Sequence, residues 1–350
     1  MSVFRISLCP VVIFLVGGLL LLQSAYTQPN WTNLTAKLEQ DQKRLGTDFV
    51  VLIWNKDTLL YKKEMGEFNS KTQVPIASCS KWLTAALVLK IAEEGKIKLD
   101  DPVVNYIPEF GKYFKSYITI RQCLSHTTGI SDDEVGLLKK LAARRKFETL
   151  EEEVNEIASR KIRANPGKDF WYGGVGLNIV GRVLEVVTKK RFDVLIKTKL
   201  LNPLAMRRTS FTNLDGGPVN PSGGATSMAD DYIRFQRMIL NNGQLNGLQF
   251  LSPESIAELR KIQTEEISIK YAPKSAAGFQ YALGAWSIEG KNGIADVLTS
   301  PGLFGTWPVV DYCHGYASLV LTKNLLSEER AEIHQEIRQL VLQQLPTTCQ

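Results

Sequence analysis

The sequence is poor in the residues that most often bind transition metals. It has three histidines (His126, His314 and His334) and five cysteines in 350 residues. No group of these residues has the spacing of a zinc site. We therefore predict neither a metal site nor another cofactor.

The chain also lacks a strong charge of one sign, internal repeats and low-complexity tracts. Its net charge is +6, and its lysines are interspersed with acidic residues. This excludes the basic stripe of a nucleic-acid-binding protein, so we predict no nucleic acid partner. With 44% hydrophobic and 22% charged residues, the composition is that of one large globular domain or two closely packed ones.

The N-terminal segment is apolar and nearly uncharged. Arg5 precedes an apolar run over 11–22, and small residues follow that run. This pattern is typical of a signal peptide, predicted here as 1–27, with 28–350 as the mature domain. The protein is then secreted, or periplasmic if bacterial. Read back to Ile6, the run is nearly long enough for a membrane anchor, and only a retained anchor would give the protein a membrane partner.

Two glycosylation sequons follow the predicted cleavage site. They begin at Asn30 and Asn33. In a eukaryotic secretory pathway they predict surface glycans on this segment, whereas in a bacterium they carry no such meaning.

Ser78 and Lys81 form the only Ser-x-x-Lys pair in the chain, at the start of a predicted apolar helix over 78–94. Residues three apart on a helix lie on one face. A lysine amine there can take the proton of a serine hydroxyl if its surroundings favour the neutral amine. The pair therefore predicts a nucleophile and its base. The alternative is a serine that caps the helix beside a solvated lysine.

The cysteines leave the disulfide pairing open. Cys9 is removed with the signal peptide, and Cys79, Cys123, Cys313 and Cys349 remain. Four cysteines allow about three full pairings. Because Cys79 lies in the predicted helix beside Ser78, we expect it to be a buried free thiol rather than part of a bridge.

The predicted strands lie at both ends of the chain. A hairpin is predicted over 48–63, and three strands near the C-terminus. Short connections between them favour antiparallel pairing in one sheet. The three C-terminal strands are predicted at Tyr281–Ile288, Ile294–Thr299 and Tyr316–Thr322.

Predicted helices fill the middle of the chain and close it. We interpret the fold class as α+β, with an α/β part at about 34–118 and 242–350 and an inserted helical lobe at about 119–241. A Thr119 cap is predicted to begin one lobe helix. The other predicted helices are 34–44, a charged helical region over 132–161, 177–188, 230–241, 253–261 and 328–345.

This order of elements, with the Ser-x-x-Lys pair at the head of the central helix, resembles the serine β-lactamase and penicillin-binding-protein superfamily. It is most similar to the class C β-lactamase-related serine hydrolases, which include esterases and D-aminopeptidases. The resemblance covers nearly the whole mature chain and implies a β-lactamase/transpeptidase-like fold. It is carried by Ala77–Lys81, by Glu94–Val103, by Thr119–Gly129 with its Leu-Ser-His-Thr-Thr-Gly run, and by Pro166–Tyr172.

The resemblance also implies roles for individual residues. Ser78 is the nucleophile, and Lys81 and Tyr172 move its proton, with a Tyr172 phenolate beside the lysine as a competent base. The backbone N–H groups of Ser78 and Leu303 form the oxyanion hole. His126 belongs to a structural turn in this family, and Gly-x-Ser-x-Gly, typical of α/β-hydrolases, is absent. The alternative for Tyr172 is an ordinary aromatic core residue.

Two positions depart from the family pattern at the predicted substrate-binding residues Gly174, Ser300 and Gly302. Gly174 stands where the family has an asparagine that helps hold the acyl-side carbonyl of the substrate. Ser300 stands where a lysine or histidine normally binds a substrate carboxylate, and Pro301 has no N–H to donate. Alternatively, Ser300-Pro301-Gly302 is a simple turn.

We predict a secreted serine hydrolase that forms an acyl-enzyme on a small-molecule ester or amide. One alternative is a catalytically inactive binding or scaffold protein that keeps the fold. A second is a β-lactamase or D,D-peptidase, which would need a cation near Ser300. Lys291, in the turn before a predicted strand, could in principle supply that cation.

Overall fold

The computed structural model of the chain describes residues 28–131, 144–211, 216–325 and 328–349. The predicted signal peptide and residues 132–143 of the predicted charged helical region lie outside these residues. Among the helices that the structure describes, none has the length and apolarity to cross a membrane.

A seven-stranded sheet forms the centre of the fold, and all its neighbouring strands are antiparallel. The strand order is β10-β11-β12-β13-β14-β1-β2, so the N-terminal hairpin extends the C-terminal strands. The predicted single sheet built from both ends of the chain is confirmed. Its strands are β1 (Phe49–Trp54), β2 (Leu59–Met65), β10 (Gln280–Tyr281), β11 (Trp286–Lys291), β12 (Ile294–Thr299), β13 (Trp307–Asp311) and β14 (Tyr316–Thr322).

The predicted C-terminal strands are only partly correct. The strands at 294–299 and 316–322 are confirmed, but the strand predicted over 281–288 is two strands. A turn separates them at Gly284, whose φ is +73°. Strand β13 was not predicted. It contains Pro308, a residue type that is unusual in a central strand, which pairs here with Leu319 in the middle of the sheet.

Both faces of the sheet are covered, which explains the uninterrupted apolar run in β1. Val50 and Leu52 face the core shared with the central helix and the lobe. Phe49, Val51 and Ile53 face a second core under the terminal helices. A strand buried on both faces needs apolar residues at every position.

The central helix, α3 (Cys79–Glu93), is almost completely buried. It has apolar residues around most of its circumference, because it packs against several helices at once. The predicted helix at 78–94 is confirmed. The other helices are α1 (Thr32–Gln40), α2 (Gln42–Leu45), α4 (Glu109–Lys112), α5 (Ile120–Leu124), α6 (Leu150–Ser159), α7 (Val175–Thr188), α8 (Phe192–Ile196), α9 (Ala229–Leu240), α10 (Pro253–Arg260) and α11 (Glu328–Leu342). Short 3-10 turns at Val103–Asn105 and Lys274–Ala276 and a π-helical turn at Lys197–Leu201 complete the helical elements.

The predicted Thr119 cap is confirmed as a capping box at the start of α5. The Thr119 hydroxyl accepts the Gln122 N–H, and the Gln122 side chain accepts the Thr119 N–H. Both donors at this helix end are thereby satisfied. Helix α5 packs against α7, and α7 packs in turn against α3, so the lobe reaches the central helix.

Three small sheets that the sequence did not predict join distant loops. Strand β3 (Val74–Pro75), which leads to Ser78, pairs with β6 (Ala225–Ser227), and β6 pairs with β5 (Ser210–Phe211). Strand β4 (Asp169–Trp171) leads to Tyr172 and pairs in parallel with β9 (Ser268–Tyr271). Residue pairs Gln244–Leu245 (β7) and Leu248–Gln249 (β8) form a small hairpin.

The four cysteines that the structure describes form one disulfide and leave two free thiols. Cys313 and Cys349 form a disulfide that ties the C-terminus to the end of β13. Cys79 and Cys123 are free and buried. The prediction of a buried free thiol at Cys79 is therefore confirmed.

Candidate active site

Ser78 stands at the N-terminus of α3 after a strained residue. Ala77 has a φ of +44°, in the left-handed region that a residue with a Cβ rarely adopts. Both the N–H and the hydroxyl of Ser80 donate to the Ala77 carbonyl, at 2.9 and 2.5 Å, which holds this conformation. Ser78 occupies the cap position, but its hydroxyl makes no capping hydrogen bond and is left for other contacts.

Lys81 contacts the Ser78 hydroxyl directly. Its Nζ lies 3.1 Å from Ser78 Oγ and 2.8 Å from the Ser222 carbonyl oxygen. It also lies 4.9 Å from the centroid of the Tyr172 ring. Because only 4% of the Lys81 surface is exposed, the alternative of a solvated lysine does not describe this structure. The arrangement is that of an amine held against a serine hydroxyl.

Tyr172 completes the cluster around Ser78. Burial raises the pKa of Tyr172 well above its usual value near 10, and the interaction of its hydroxyl with the Ser78 side chain offsets only part of that effect. The phenol therefore keeps its proton at neutral pH. This differs from the phenolate base implied by the family resemblance and makes Tyr172 better suited to donate a proton than to accept one.

An aromatic group surrounds Tyr172. The rings of Trp286 and His126 lie with their centroids 5.0 and 4.8 Å from the Tyr172 ring. His126 Nε2 lies 3.0 Å from the Tyr281 hydroxyl, and its carbonyl accepts the Trp171 N–H. Burial, and then the positive charge that Lys81 carries when it is protonated, lower the pKa of His126 well below 6.5, so His126 is neutral. These contacts agree with a structural turn at His126.

The segment Ser300-Pro301-Gly302 lies against the nucleophile, and Ser300 contacts the backbone of Ser78. The Ser300 hydroxyl donates to the Ser78 carbonyl at 3.1 Å and to the Gly284 carbonyl at 3.4 Å. Ser300 is 2% exposed. The predicted contact between this side chain and a substrate would require these bonds to break. In this structure Ser300 therefore supports the nucleophile rather than lining a substrate site.

Gly302 lies against the chain just before Ser78. A Cβ at this position would come within 2.4 Å of the Ile76 carbonyl, so only glycine fits. Its N–H donates to the Thr306 carbonyl at 2.8 Å. Among the described residues, neither the Ser78 N–H nor the Leu303 N–H donates to an acceptor within the chain. Both predicted oxyanion donors are thus available, and their role stays a prediction.

Lys291 cannot replace the missing cation at position 300. It pairs with Ile294, at the far end of β12 from Thr299, which pairs with Trp286. Five residues of strand separate the two ends by about 17 Å at roughly 3.3 Å per residue. That distance exceeds the reach of a lysine side chain, so the possibility raised from the sequence is wrong.

Gly174 is a glycine because of its neighbour and not because of its backbone. Its φ of −97° is open to any residue. A Cβ there would lie 2.9 Å from Ser222 Oγ, so Ser222 fills the space of a side chain at 174. Ser222 was not predicted from the sequence as part of the site. The glycine-rich run Pro221-Ser222-Gly223-Gly224 marks a loop but gives no sign that a carbonyl in it meets Lys81.

The antiparallel sheet, the buried helix and the Ser78–Lys81–Tyr172 cluster define the fold of the serine hydrolases related to β-lactamases and penicillin-binding proteins. The family model described as Beta-lactamase matches residues 31–343. The chain belongs to this family, whose members are serine hydrolases.

Individual relatives agree with this assignment. A solved structure from Bacteroides dorei DSM 17855, proposed as a β-lactamase, is 26% identical, with a TM-score of 0.77 over 89% of this chain and 99% of that one. EstCE1, described as a hydrolase with promiscuous acyltransferase activity, has the same fold at 19% identity, with a TM-score of 0.71 over 88% and 98% of the two chains. Protein Rv1367c of Mycobacterium tuberculosis is 24% identical over 74% of this chain and 79% of its own length.

Proposed function

We propose that this protein is a secreted serine hydrolase that cleaves an ester or a small amide through an acyl-enzyme. The observation that carries the proposal is the 3.1 Å contact between Lys81 Nζ and Ser78 Oγ, made by a buried lysine. A serine hydroxyl becomes a useful nucleophile when a positioned base can take its proton. Lys81 is the amine in that position.

The proposed reaction follows from the positions of the proton carriers. Ser78 Oγ attacks the carbonyl carbon of the substrate while its proton passes to a neutral Lys81 amine. The oxyanion that forms is stabilised by the free N–H groups of Ser78 and Leu303. Tyr172, protonated at neutral pH, gives its proton to the departing oxygen or nitrogen and recovers one from Lys81. Water then attacks the acyl-enzyme and releases the acid and Ser78.

The substrate side of the proposal rests on the two departures from the family pattern. Ser300 is buried against the Ser78 carbonyl, and no cation takes its place from Lys291. A substrate carboxylate would therefore lack its usual partner there. A neutral ester or small amide needs no such partner. EstCE1, which has a similar fold and is described as a hydrolase with promiscuous acyltransferase activity, is in line with this choice.

Secretion is proposed from the apolar N-terminal segment and supported by the cysteines. The Cys313–Cys349 disulfide is a kind of bond that persists in oxidising compartments. Asn30 and Asn33 are both exposed, so glycans could be attached to either without disturbing the core. Intact mass of the protein purified from culture medium of its own host would test both the cleavage after residue 27 and the glycans.

The catalytic proposal is tested by labelling the mature protein with a fluorophosphonate and mapping the adduct by mass spectrometry. We expect one adduct, on Ser78, that is absent in Ser78→Ala and strongly slowed in Lys81→Ala. Ser116→Ala is the control, because Ser116 is an exposed serine outside the Ser78 cluster, and this variant should still be labelled. A folded protein without any adduct would favour the inactive binding or scaffold protein instead.

The substrate proposal needs a separate comparison. Nitrophenyl esters, a small anilide and a chromogenic cephalosporin are assayed with the same preparation. We expect ester turnover that depends on Ser78 and little or no lactam turnover. A cephalosporin hydrolysed with a higher kcat/KM than every ester would contradict this choice and favour the β-lactamase alternative.

A further inference from the structure

We infer that Ser222, from a separate loop, supplies the polar contact to Lys81 that Gly174, which has no side chain, cannot make. Asn178 is then a positioning residue that holds Ser222 in place. The inference rests on the proposed function. Ser222 Oγ lies 2.9 Å from the position of a Cβ on Gly174, and the Ser222 carbonyl accepts a hydrogen bond from Lys81 at 2.8 Å.

The Ser222 contact matters because it fixes the direction of the lysine. An ammonium or amine nitrogen carries several rotatable N–H donors on a flexible stem. With one donor held by the Ser222 carbonyl, the Lys81 nitrogen is kept 3.1 Å from Ser78 Oγ. Displacement of a catalytic group by about 1 Å can lower a rate by roughly 100-fold. The position of this carbonyl therefore bears on the rate of acylation.

Asn178 holds the Ser222 backbone from the neighbouring helix α7. Its Oδ1 accepts the Ser222 N–H at 3.2 Å, and Asn220 Oδ1 accepts the same N–H at 3.1 Å. The central helix adds a further tie, because the Thr84 hydroxyl donates to the Pro221 carbonyl at 2.7 Å. The peptide bond between Pro221 and Ser222, immediately before the carbonyl that contacts Lys81, is thus held from two helices.

A buried ion pair fixes Asn178 in turn. Asn178 Nδ2 donates to Glu153 Oε1 at 3.0 Å, and Arg144 Nε and Nη2 donate to the two Glu153 carboxylate oxygens at 2.9 and 2.8 Å. Arg144 also donates to the carbonyls of Pro218 and Val219 in the same loop. Asn178 and Glu153 are only 3% and 4% exposed. A fully satisfied buried network of this kind is rigid and permits one arrangement.

Helix α6 offers a matched pair of variants to test this network. Glu153 accepts a hydrogen bond from Asn178, whereas Glu156, on the same helix, pairs at 2.8 Å with Arg160 just beyond the helix end. We expect Asn178→Leu and Glu153→Gln to lower kcat for an ester about 10- to 100-fold with KM nearly unchanged. Glu156→Gln should stay within about twofold of the wild-type protein. Equal, small effects of all three variants would overturn the inference.

A second test does not depend on the stability of the ion pair. Gly174→Ala places a methyl group against Ser222 Oγ, whereas Ser222→Gly removes that hydroxyl and keeps the carbonyl. We expect Gly174→Ala alone to lower kcat at least fivefold, and Ser222→Gly to restore most of the loss in the double variant. Such non-additivity is the sign of two side chains competing for one place. A harmless Gly174→Ala would overturn the inference.

Fluorophosphonate labelling separates the inference from the proposed function. If the wild-type protein labels on Ser78 and Asn178→Leu labels at the same rate while folded, the positioning role is wrong and the hydrolase proposal stands. If the folded wild-type protein does not label at all, the hydrolase proposal falls, and the role of Asn178 in catalysis falls with it.

Discussion

Removal of the Tyr172 hydroxyl would distinguish the two proton transfers of the proposed reaction. In the structure Lys81 Nζ lies 3.1 Å from Ser78 Oγ, while Tyr172 keeps its own proton because burial raises its pKa. Lys81 is therefore expected to activate the nucleophile, and Tyr172 to protonate the leaving group. Tyr172→Phe removes only the second function and the interaction of the Tyr172 hydroxyl with the Ser78 side chain.

The size of the loss should depend on the leaving group. A nitrophenolate departs without a proton, so turnover of a nitrophenyl ester loses only the interaction of Tyr172 with Ser78, which is worth at most one hydrogen bond, about 0.5–1.5 kcal/mol. That free energy corresponds to roughly a two- to tenfold lower kcat/KM. An alkyl ester of the same acid must have its leaving oxygen protonated, and a general acid contributes about 100- to 10,000-fold to such a step. The alkyl ester should therefore lose at least about ten times more than the nitrophenyl ester.

Tyr281→Phe is the control for this experiment. Tyr281 is a buried phenol of the same aromatic group, with its ring 6.1 Å from that of Tyr172 and its hydroxyl 3.0 Å from His126 Nε2. Its loss should lower kcat/KM for both esters by the same factor. If Tyr172→Phe also lowered both equally, the leaving-group role would be refuted, and the phenolate base implied by the family resemblance would regain support.

Three further predictions concern stability and the buried serine. His334 is stacked on Trp307, and burial lowers its pKa to about 3 from 6.5, so its contribution to stability is present above pH 6.5 and is lost as the pH falls towards 3. At pH 4.5 that loss is about 3 kcal/mol. Urea unfolding at pH 7 and pH 4.5 should show a correspondingly smaller loss of stability in acid for His334→Phe, and equal losses would contradict the lowered pKa. Reduction of the Cys313–Cys349 disulfide, or its replacement by two serines, should lower the free energy of unfolding by about 4 kcal/mol, because the bridge closes a loop with a sequence separation of 36 residues. A loss below about 1 kcal/mol in thermal or urea unfolding would count against a stabilising bridge. Ser300→Ala should cost about 0.5–1.5 kcal/mol in urea unfolding while ester KM stays nearly the same, and a KM raised tenfold or more would mean that the side chain contacts substrate after all.

The parts of the site that the sequence predicted are the local ones. Ser78 and Lys81 are three residues apart on one helix, so their contact follows from helix geometry once the helix is recognised. The Thr119 capping box is set by residues three apart in the same way. Tyr172 could be placed only through the family resemblance, because 91 residues separate it from Lys81 and no local geometry connects them.

The parts that were missed depend on contacts between distant segments. Ser222 meets Lys81 across 141 positions, through a backbone carbonyl that every residue possesses. No residue type marks such a role in advance. Strand β13 contains Pro308, and proline is unusual in a central strand. The Pro308 carbonyl nevertheless accepts the Thr299 hydroxyl at 2.6 Å, and the missing N–H of Pro308 is tolerated within the strand pairing.

The two departures from the family pattern, Gly174 and Ser300, have a different physical meaning from the buried ionisable residues around the nucleophile. Lys81, Glu153 and Arg144 bury charged or ionisable groups, and a set of apolar residues of the same volume would often be at least as stable. A scaffold that needs only the fold gains nothing from their desolvation. By contrast, Gly174 and Ser300 alter the places where a substrate would be held. The nucleophile and its support can thus stay intact while recognition changes, which is what we expect of a hydrolase with a different substrate and not of an inactive descendant.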